Sequence, residues 1–444
     1  MPGRKCPRDL SFARCFLCLC MDVASRNRGS RTDFLWRAGR RPYVLLAANG
    51  RAATWGNVTS TYGAICRVAA VAPGQGARTH AGSIFAWRAS KRKTMERGTV
   101  GMQIGIVGLG RMGSNIARRL LAAGHSCIAF DLDLARVDEI AAAGAQAARD
   151  LSGLVAALSA PRVLWIMLPA GSATETAIHT LSDLLSPGDI IVDGGNTFYE
   201  DDLRRAALLA ESGIGYVDVG TSGGIWGRER GYSLMIGGTP EAVSHIDPIF
   251  KALAPGIGAA AQTIGRQGAD QRPDHGYVHA GPHGAGHFAK MVHNAIEYGM
   301  MQAFAEGFDI LRNASVLADR TGARYEFNLA DIAEVWRRGS VVSSWLLDLI
   351  AGALAKDGQL LHLEGQVDDS GEGRWAVSTA IKQGVPANVL AAALNARFRS
   401  RHEHTFGDKM LSAMREEFGG HREAMQPQLQ GSRGTRPEDI GARR

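Results

Sequence analysis

A chain of 444 residues, 45% hydrophobic and 21% charged, has room for two or three domains. The net charge of +7 at first suggests a nucleic-acid or membrane partner. However, residues 1–100 hold 18 of the 50 Lys+Arg and only 4 of the 43 Asp+Glu, so the remaining 32 bases and 39 acids leave the body at −7. That acidity argues against nucleic acid, and no run of about 18 apolar residues is present to cross a membrane.

Residues 1–101 are rich in Arg, Ser, Gly and Trp, lack a period of two or of 3.6, and are expected to form a basic, disordered extension. Five of the six cysteines lie there (Cys6, Cys15, Cys18, Cys20 and Cys66), leaving Cys127 alone in the body. This is the usage of a reducing compartment without a disulfide framework, and a cytoplasmic location is expected. An Arg-rich, acid-poor leader also fits a transit peptide, whereas Cys15 to Cys20 is too short an apolar core for a secretory signal. Cys15-x-x-Cys18-x-Cys20 lacks a second ligand pair for zinc. The preferred reading is that the native chain starts at Met102, immediately before the first strand.

Met102 to Asp131, MQIGIVGLGRMGSNIARRLLAAGHSCIAFD, reads as strand, tight turn, helix, strand. The apolar run Ile104 to Val107 suits a buried parallel strand. Gly108, Gly110 and Gly113 then form G-x-G-x-x-G ahead of an amphipathic segment, Asn115 to Ala123. The first glycine permits the turn, the second lets a pyrophosphate approach the backbone, and the third lets helix and strand pack closely, with free N–H groups facing the phosphates. Arg111 and Met112 lie within this turn. The second strand, Cys127 to Phe130, delivers Asp131 where a carboxylate can accept both ribose hydroxyls of NAD. Asp133 follows, and two acids would repel the extra phosphate of NADP, so NAD is the expected cofactor and NADP the less favoured one.

The alternation continues with Val163 to Leu168 and Ile190 to Val192, each after a helix-like segment, which predicts an α/β Rossmann-type, doubly wound parallel sheet. Ligands gather at the carboxyl ends of such strands. There the chain places Pro169-Ala170-Gly171, then Asp193-Gly194-Gly195-Asn196-Thr197. After a helix containing Asp201 to Ala210, the strand Tyr216 to Val219 runs into Gly220-Thr221-Ser222-Gly223-Gly224. Asn196 and Ser222 can supply directed hydrogen bonds to a substrate lying on glycine backbone, although Asn196 could equally cap a helix.

From about Ala280 the pattern turns helical. Lys290, His293, Asn294, Glu297 and Tyr298 fall at i, i+3, i+4, i+7 and i+8, on one face of a long helix whose neighbours Met291, Val292 and Ile296 are apolar. A titratable stripe in such a helix is costly to bury without a purpose; a solvated face is the plain alternative.

GLGRMGSNIARRL, DGGNTFYEDD, GTSGGIWGRERGYSLMIGG, GAGHFAKMVHNAIEYGMMQAFAEGF and SGEGRWAVSTAIKQGVPANV resemble the decarboxylating 6-phosphogluconate dehydrogenases in their shorter bacterial form, over about Met102 to His421. The resemblance implies a Rossmann domain over 102–280, an all-α catalytic and dimerisation domain over 281–424, and a disordered tail over 425–444. It implies Lys290 as the base that takes the proton of the third-carbon hydroxyl, and then, protonated, as the stabiliser of the enolic oxygen. Glu297 is the implied acid that protonates the first carbon. For these tasks Lys290 must be partly neutral and Glu297 must hold a proton, so both are expected to be shielded from water. Asn196, Ser222, Gly223, Gly224, His293 and Asn294 would bind the sugar acid, and Tyr298 and Arg374 its phosphate. Arg415 and His421 would come from a second copy, implying a homodimer or higher homo-oligomer. No metal is implied, and the chain offers no obvious carboxylate cluster for one. Ser343 departs from the pattern, standing where longer relatives are expected to carry a phosphate-binding arginine; Arg337, Arg338 or a neighbour could substitute. Two other functions stay open: a β-hydroxyacid dehydrogenase that does not decarboxylate, and a non-catalytic NAD-sensing protein.

Overall fold

The computed structural model describes residues 101–419, except 267 and 269. The expectations for the leader, for residues 425–444 and for His421 lie outside the described residues. The sheet runs through β1 (Gln103–Val107), β2 (Ser126–Phe130), β3 (Gln146–Ala147), β4 (Val163–Ile166), β5 (Ile190–Asp193), β6 (Gly215–Ser222), β7 (Ser233–Gly238) and β8 (Tyr277–Gly281). Its spatial order is β3-β2-β1-β4-β5-β6-β7-β8. Pairs are parallel except β6 with β7, which is antiparallel. The antiparallel turn back through β7 has no counterpart in the sequence reading, which followed the βα alternation no further than β6.

Parallel neighbours need crossover helices. These are α1 (Arg111–Ala122), α2 (Leu134–Ala142), α3 (Leu151–Ala156), α4 (Ser172–Leu184) and α5 (Tyr199–Glu211), with α6 (Pro240–Leu253) between β7 and β8. Two apolar layers form, one on each face of the sheet. One gathers Ile104, Ile106, Ile116, Leu120 and Phe250, and the other gathers Val107, Ile128, Leu154, Leu181 and Leu209. This is why β1, β4 and β5 read as near-continuous apolar runs rather than alternating ones. Cys127 is buried as its strand predicts, and burial pushes its thiol up to about 12.

After the sheet come α7 (Ala285–Arg312), α8 (Leu329–Arg337), α9 (Trp345–Lys356), α10 (Glu372–Gln383), α11 (Asn388–Ser400) and α12 (Phe406–Gly419). The architecture is a Rossmann sheet followed by helices. The first turns of α7 lie directly across β6 and β7, and two glycines make that approach possible. A Cβ on Gly286 would sit 2.4 Å from the Met235 carbonyl oxygen, and one on Gly220 would sit 2.3 Å from the Lys290 Cβ. The Asp218 carboxylate on β6 accepts the Gly284 N–H at 2.7 Å and the His287 N–H at 3.0 Å, satisfying two donors at the α7 N-terminus. Among the described residues no helix is long and apolar enough to cross a membrane.

Candidate active site

The strand order reverses between β1 and β4, and a cleft of ≈ 450 Å³ opens at their carboxyl ends. It is lined by the glycine turn (Gly108, Gly110, Arg111, Met112, Gly113), by Asp131 and Arg136, by Met167 to Pro169, by Gly194 to Asn196, and by Thr221 and Lys290. Gly108 has φ +91, and a Cβ on Gly113 would fall 1.9 Å from the Gly108 carbonyl oxygen, so the turn closes onto the α1 N-terminus only with glycine at both positions. At Gly110 a Cβ would meet nothing nearer than 4.0 Å, leaving that backbone open on the cleft side. The turn, the open backbone and the helix N-terminus fit a dinucleotide pyrophosphate. Asp131 accepts the Leu109 N–H at 2.6 Å through Oδ2 and the Asp133 N–H at 2.8 Å through Oδ1. Its position is thus fixed, and each oxygen keeps a second lone pair for a ribose hydroxyl.

Lys290 projects from α7 to the far wall of the cleft. Its Nζ donates to Asn196 Oδ1 at 3.0 Å and to Glu372 Oε1 at 3.1 Å. The Asn294 amide donates to the same Glu372 oxygen, and the Ser370 hydroxyl donates to the other. Tyr298 Oη accepts the Ser370 N–H at 3.2 Å, and the Asn196 amide reaches the Ser370 carbonyl at 3.2 Å. Asn196 therefore joins Lys290 to the loop before α10; the residue at the α5 N-cap is Phe198, so Asn196 caps no helix there. Ser222 Oγ lies 3.4 Å from His293 Nε2, while His293 Nδ1 lies 3.0 Å from Asn294 Oδ1. Gly223 and Gly224 take positive φ at the turn leaving β6; a Cβ on Gly223 would fall 3.1 Å from the Tyr232 ring, and one on Gly224 would meet open space. Glu297 is half-buried, and among the described residues no hydrogen bond or ion pair engages its carboxylate.

Other expected ligands lie elsewhere. Arg374 is exposed and forms a bidentate pair with Asp369 at 2.8 and 3.0 Å, holding that carboxyl down at about 2. Ser343 sits in the turn before α9, its N–H bonded to the Ser340 carbonyl. Arg337 and Arg338 are both engaged by Glu334. The guanidinium that meets Tyr298 belongs instead to Arg397 on α11, 3.7 Å from the ring centroid. Arg415 is exposed on α12.

The sequence reading passed over two features. Glu372 lies 82 positions from Lys290, and only its place in the same segment as Arg374 marked its neighbourhood. The second is a buried ionic group under α7. His287 Nδ1 lies 2.8 Å from Asp202, Arg205 bonds Asp193 at 3.0 Å and Glu175 at 2.6 Å, and Tyr216 donates to Asp202 at 2.8 Å. The expectation of no carboxylate cluster is corrected here: Asp193, Asp202 and His287 each present a ligand atom within 4.8 Å of the others. The acids looked like strand-end and helix-surface residues in sequence. Their cationic partners are Arg205 and the imidazole.

Burial alone would lower the His287 imidazole, but Asp202, Asp193 and Asp218 outweigh it and raise the group to about 9. Burial likewise pushes Asp202 up to about 6. A folded value above the unfolded 6.5 means that the His287 contribution to stability is fully present below that pH and is lost as pH rises through about 9. The Asp202 contribution has the same sign and is lost lower, between 3.8 and about 6. Thermal melts from pH 7 to 9.5 should therefore show Tm falling, and His287→Gln should start lower and fall less. An equal slope in wild type and variant would remove His287 as its source.

A glycine turn for a dinucleotide, an acid at the second strand end, and a lysine held by an asparagine across the same cleft define a pyridine-nucleotide-dependent oxidoreductase of the Rossmann-plus-helical class. The comparisons narrow this. Residues 103–265 match the NAD-binding domain of 6-phosphogluconate dehydrogenase, and residues 286–432 match the 6-phosphogluconate dehydrogenase C-terminal domain. YqeC of Bacillus subtilis is 39% identical over 320 residues, covering 72% of this chain and 98% of that one. The NAD(+)-dependent, decarboxylating 6-phosphogluconate dehydrogenase of Haloferax volcanii is 38% identical over 327 residues, covering 73% and 99%. The solved 6-phosphogluconate dehydrogenase of Plasmodium falciparum, studied with NADP+ and with 6-phosphogluconate, superposes with a TM-score of 0.57 at 26% identity, covering 73% of this chain and 67% of that one. The chain belongs to the 6-phosphogluconate dehydrogenase family.

Proposed function

We propose that this protein oxidises and decarboxylates 6-phosphogluconate to ribulose 5-phosphate and carbon dioxide, with NAD as the preferred acceptor. The observation that carries the reading is Lys290 Nζ, bonded to Asn196 in the same cleft as the glycine turn and Asp131. The cofactor supplies a hydride acceptor. Lys290 takes the proton of the third-carbon hydroxyl as that hydride leaves, and its ammonium then steadies the oxygen that gathers charge as carbon dioxide departs. Glu297, seven residues on along the same helix face, returns a proton to the first carbon. Ser222, His293, Asn294 and Asn196 orient the sugar-acid hydroxyls and carboxylate over the Gly223-Gly224 backbone. Arg397, whose guanidinium lies 3.7 Å from the Tyr298 ring centroid, would join Tyr298 in holding the phosphate. Arg374 can join it only by leaving Asp369.

Assay of the full chain with 6-phosphogluconate, following NADH and released carbon dioxide together, tests the reaction. Equal amounts of both support it, NADH without carbon dioxide favours a β-hydroxyacid dehydrogenase, and cofactor binding without turnover favours a sensing role.

The NAD preference rests on Asp131 and Asp133. The 2′-phosphate of NADP would meet the Asp131 carboxylate, and the cation nearest in sequence, Arg136, is already paired with Asp133 at 3.2 Å. The expected kcat/KM preference is at least about tenfold, roughly 1.4 kcal/mol. Leu132 is 92% exposed, so Leu132→Arg costs no packing; combined with Asp131→Asn it should shift the preference toward NADP. Equal use of both cofactors by the unmodified enzyme at subsaturating concentration would defeat the argument.

The active form is a homodimer or larger homo-oligomer in which Arg415, with His421, serves the site of a second copy. Ile296, Met300, Ile381 and Val389 leave apolar surface exposed on α7, α10 and α11, which a second copy would cover.

A further inference from the structure

Lys290 touches a carboxylate that the proposed reaction does not require. Glu372 is 2% exposed at the first residue of α10, and its Oε1 lies 3.1 Å from Lys290 Nζ. Burial pushes its carboxyl up, but the Lys290 ammonium and the Ser370 hydroxyl outweigh burial and hold it below the ordinary glutamate range. A buried carboxylate that keeps its charge needs a cation. Among the described residues the other cations on the elements around it are committed elsewhere, and Glu297 on α7 is a second carboxylate rather than a cation. On the α10 side Arg374 is paired with Asp369, and on α11 Arg397 lies on Tyr298 and bonds the Asp368 carbonyl. On α7 itself His293 faces Ser222 and Asn294. Beneath that helix Asp202 serves His287, Asp193 serves Arg205, and Asp218 on β6 takes the α7 N-terminal N–H groups. Among the described residues Lys290 is the cation at contact distance from Glu372.

We propose that Glu372 is a positioning residue for Lys290: a resident counter-ion that holds the ammonium against Asn196 in the free enzyme and sets the fraction of enzyme that meets substrate with a neutral base. The proposal rests on Lys290 acting as the base. The two halves of that reaction ask opposite things of one side chain, a neutral amine while hydride leaves and an ammonium while carbon dioxide leaves. The Lys290 side chain is only 12% exposed, and the Glu372 carboxylate stands at contact distance from its Nζ. Asn294 and Ser370 keep that carboxylate in place, so the balance is built into the pocket before substrate arrives. The proton lost before oxidation goes to water, and Glu372 stays a carboxylate throughout.

The test is the pH profile of kcat/KM for 6-phosphogluconate in the full-length enzyme and in Glu372→Gln, Glu372→Asp and Lys290→Met. Glu372→Gln is isosteric and removes the charge, so the acid limb should move to lower pH by about one unit or more. Glu372→Asp keeps the charge and should hold the limb within about 0.3 unit of wild type; it also carries the test if the Gln variant does not fold, since a displacement toward lower pH as large as that expected for Gln would contradict a role set by charge. With Lys290→Met inactive, a Gln limb that stays in place while KM or Tm changes overturns the counter-ion role alone and leaves Glu372 as pocket framework. Retained turnover in Lys290→Met overturns the base assignment, and this proposal with it.

Discussion

Replacing Lys290 with Met should abolish turnover, lowering kcat by at least about a thousandfold, while NAD binding stays within about threefold of wild type. The asymmetry follows from where the side chain sits. Its Nζ is bonded to Asn196 and Glu372, on the α7 and α10 side of the cleft, whereas in the proposed binding mode the pyrophosphate and ribose groups would be served by the glycine turn and Asp131 on the opposite wall. Methionine matches the length and apolar stem of lysine, so the helix keeps its packing and only the proton acceptor is lost. In the proposed reaction the same nitrogen would serve oxidation and decarboxylation, so no second group could restore either step, and a penalty beyond that of a single general base is expected. Stopped-flow NADH formation with titration of NAD fluorescence quenching separates the two effects. Activity within about tenfold of wild type would sink the assignment.

What could be read from the chain depended on the distance over which each residue's role is set. The glycine turn and Asp131 were legible because a turn, a helix N-terminus and the next strand end are bound to fixed local spacings. The Lys290 face was legible because positions three and four apart share one side of a helix. Glu372 and Arg397 were not. They reach Lys290 and Tyr298 only because α10 and α11 pack against α7, and nothing in local spacing marks that contact. Arg374 is a different case: it stands in the segment the resemblance marked, and the structure pairs it with a carboxylate five residues earlier, Asp369. The surroundings of Ser343 are a related case. That turn lies before α9, and the cation facing Tyr298 comes from a different helix. The ionic group of Asp193, Asp202, Arg205 and His287 was invisible because charged residues at strand ends and on helices are normally solvated, and it is tertiary packing of separate elements that pairs and buries these four.

Gly220→Ala should cost about a hundredfold or more in kcat while leaving a folded sheet and a working dinucleotide cleft. The added Cβ would stand 2.3 Å from the Lys290 Cβ, 2.7 Å from the Gly286 carbonyl oxygen and 2.9 Å from the Lys290 Cγ. One of these neighbours is backbone, so rotating the lysine alone cannot relieve the contact; α7 must lift from β6. Gly220 pairs with Met235 inside the β6–β7 ladder, so the strand cannot easily retreat. The helix is the element that moves, carrying Lys290, Asn294 and Glu297 together away from Asn196. A misplacement of about 1 Å in a reacting group is enough for roughly a hundredfold loss. The glycine turn, Asp131 and the β1–β4 edge lie outside the disturbed contact, so NAD affinity should change by less than about threefold, and the loss should fall on kcat rather than on cofactor binding. Because Asp218 on β6 also holds the Gly284 and His287 N–H groups, lifting α7 should lower Tm as well. A variant with near-wild-type kcat would mean that the helix accommodates the methyl group without moving Lys290, and that the close approach of α7 to β6 is not what aims the base.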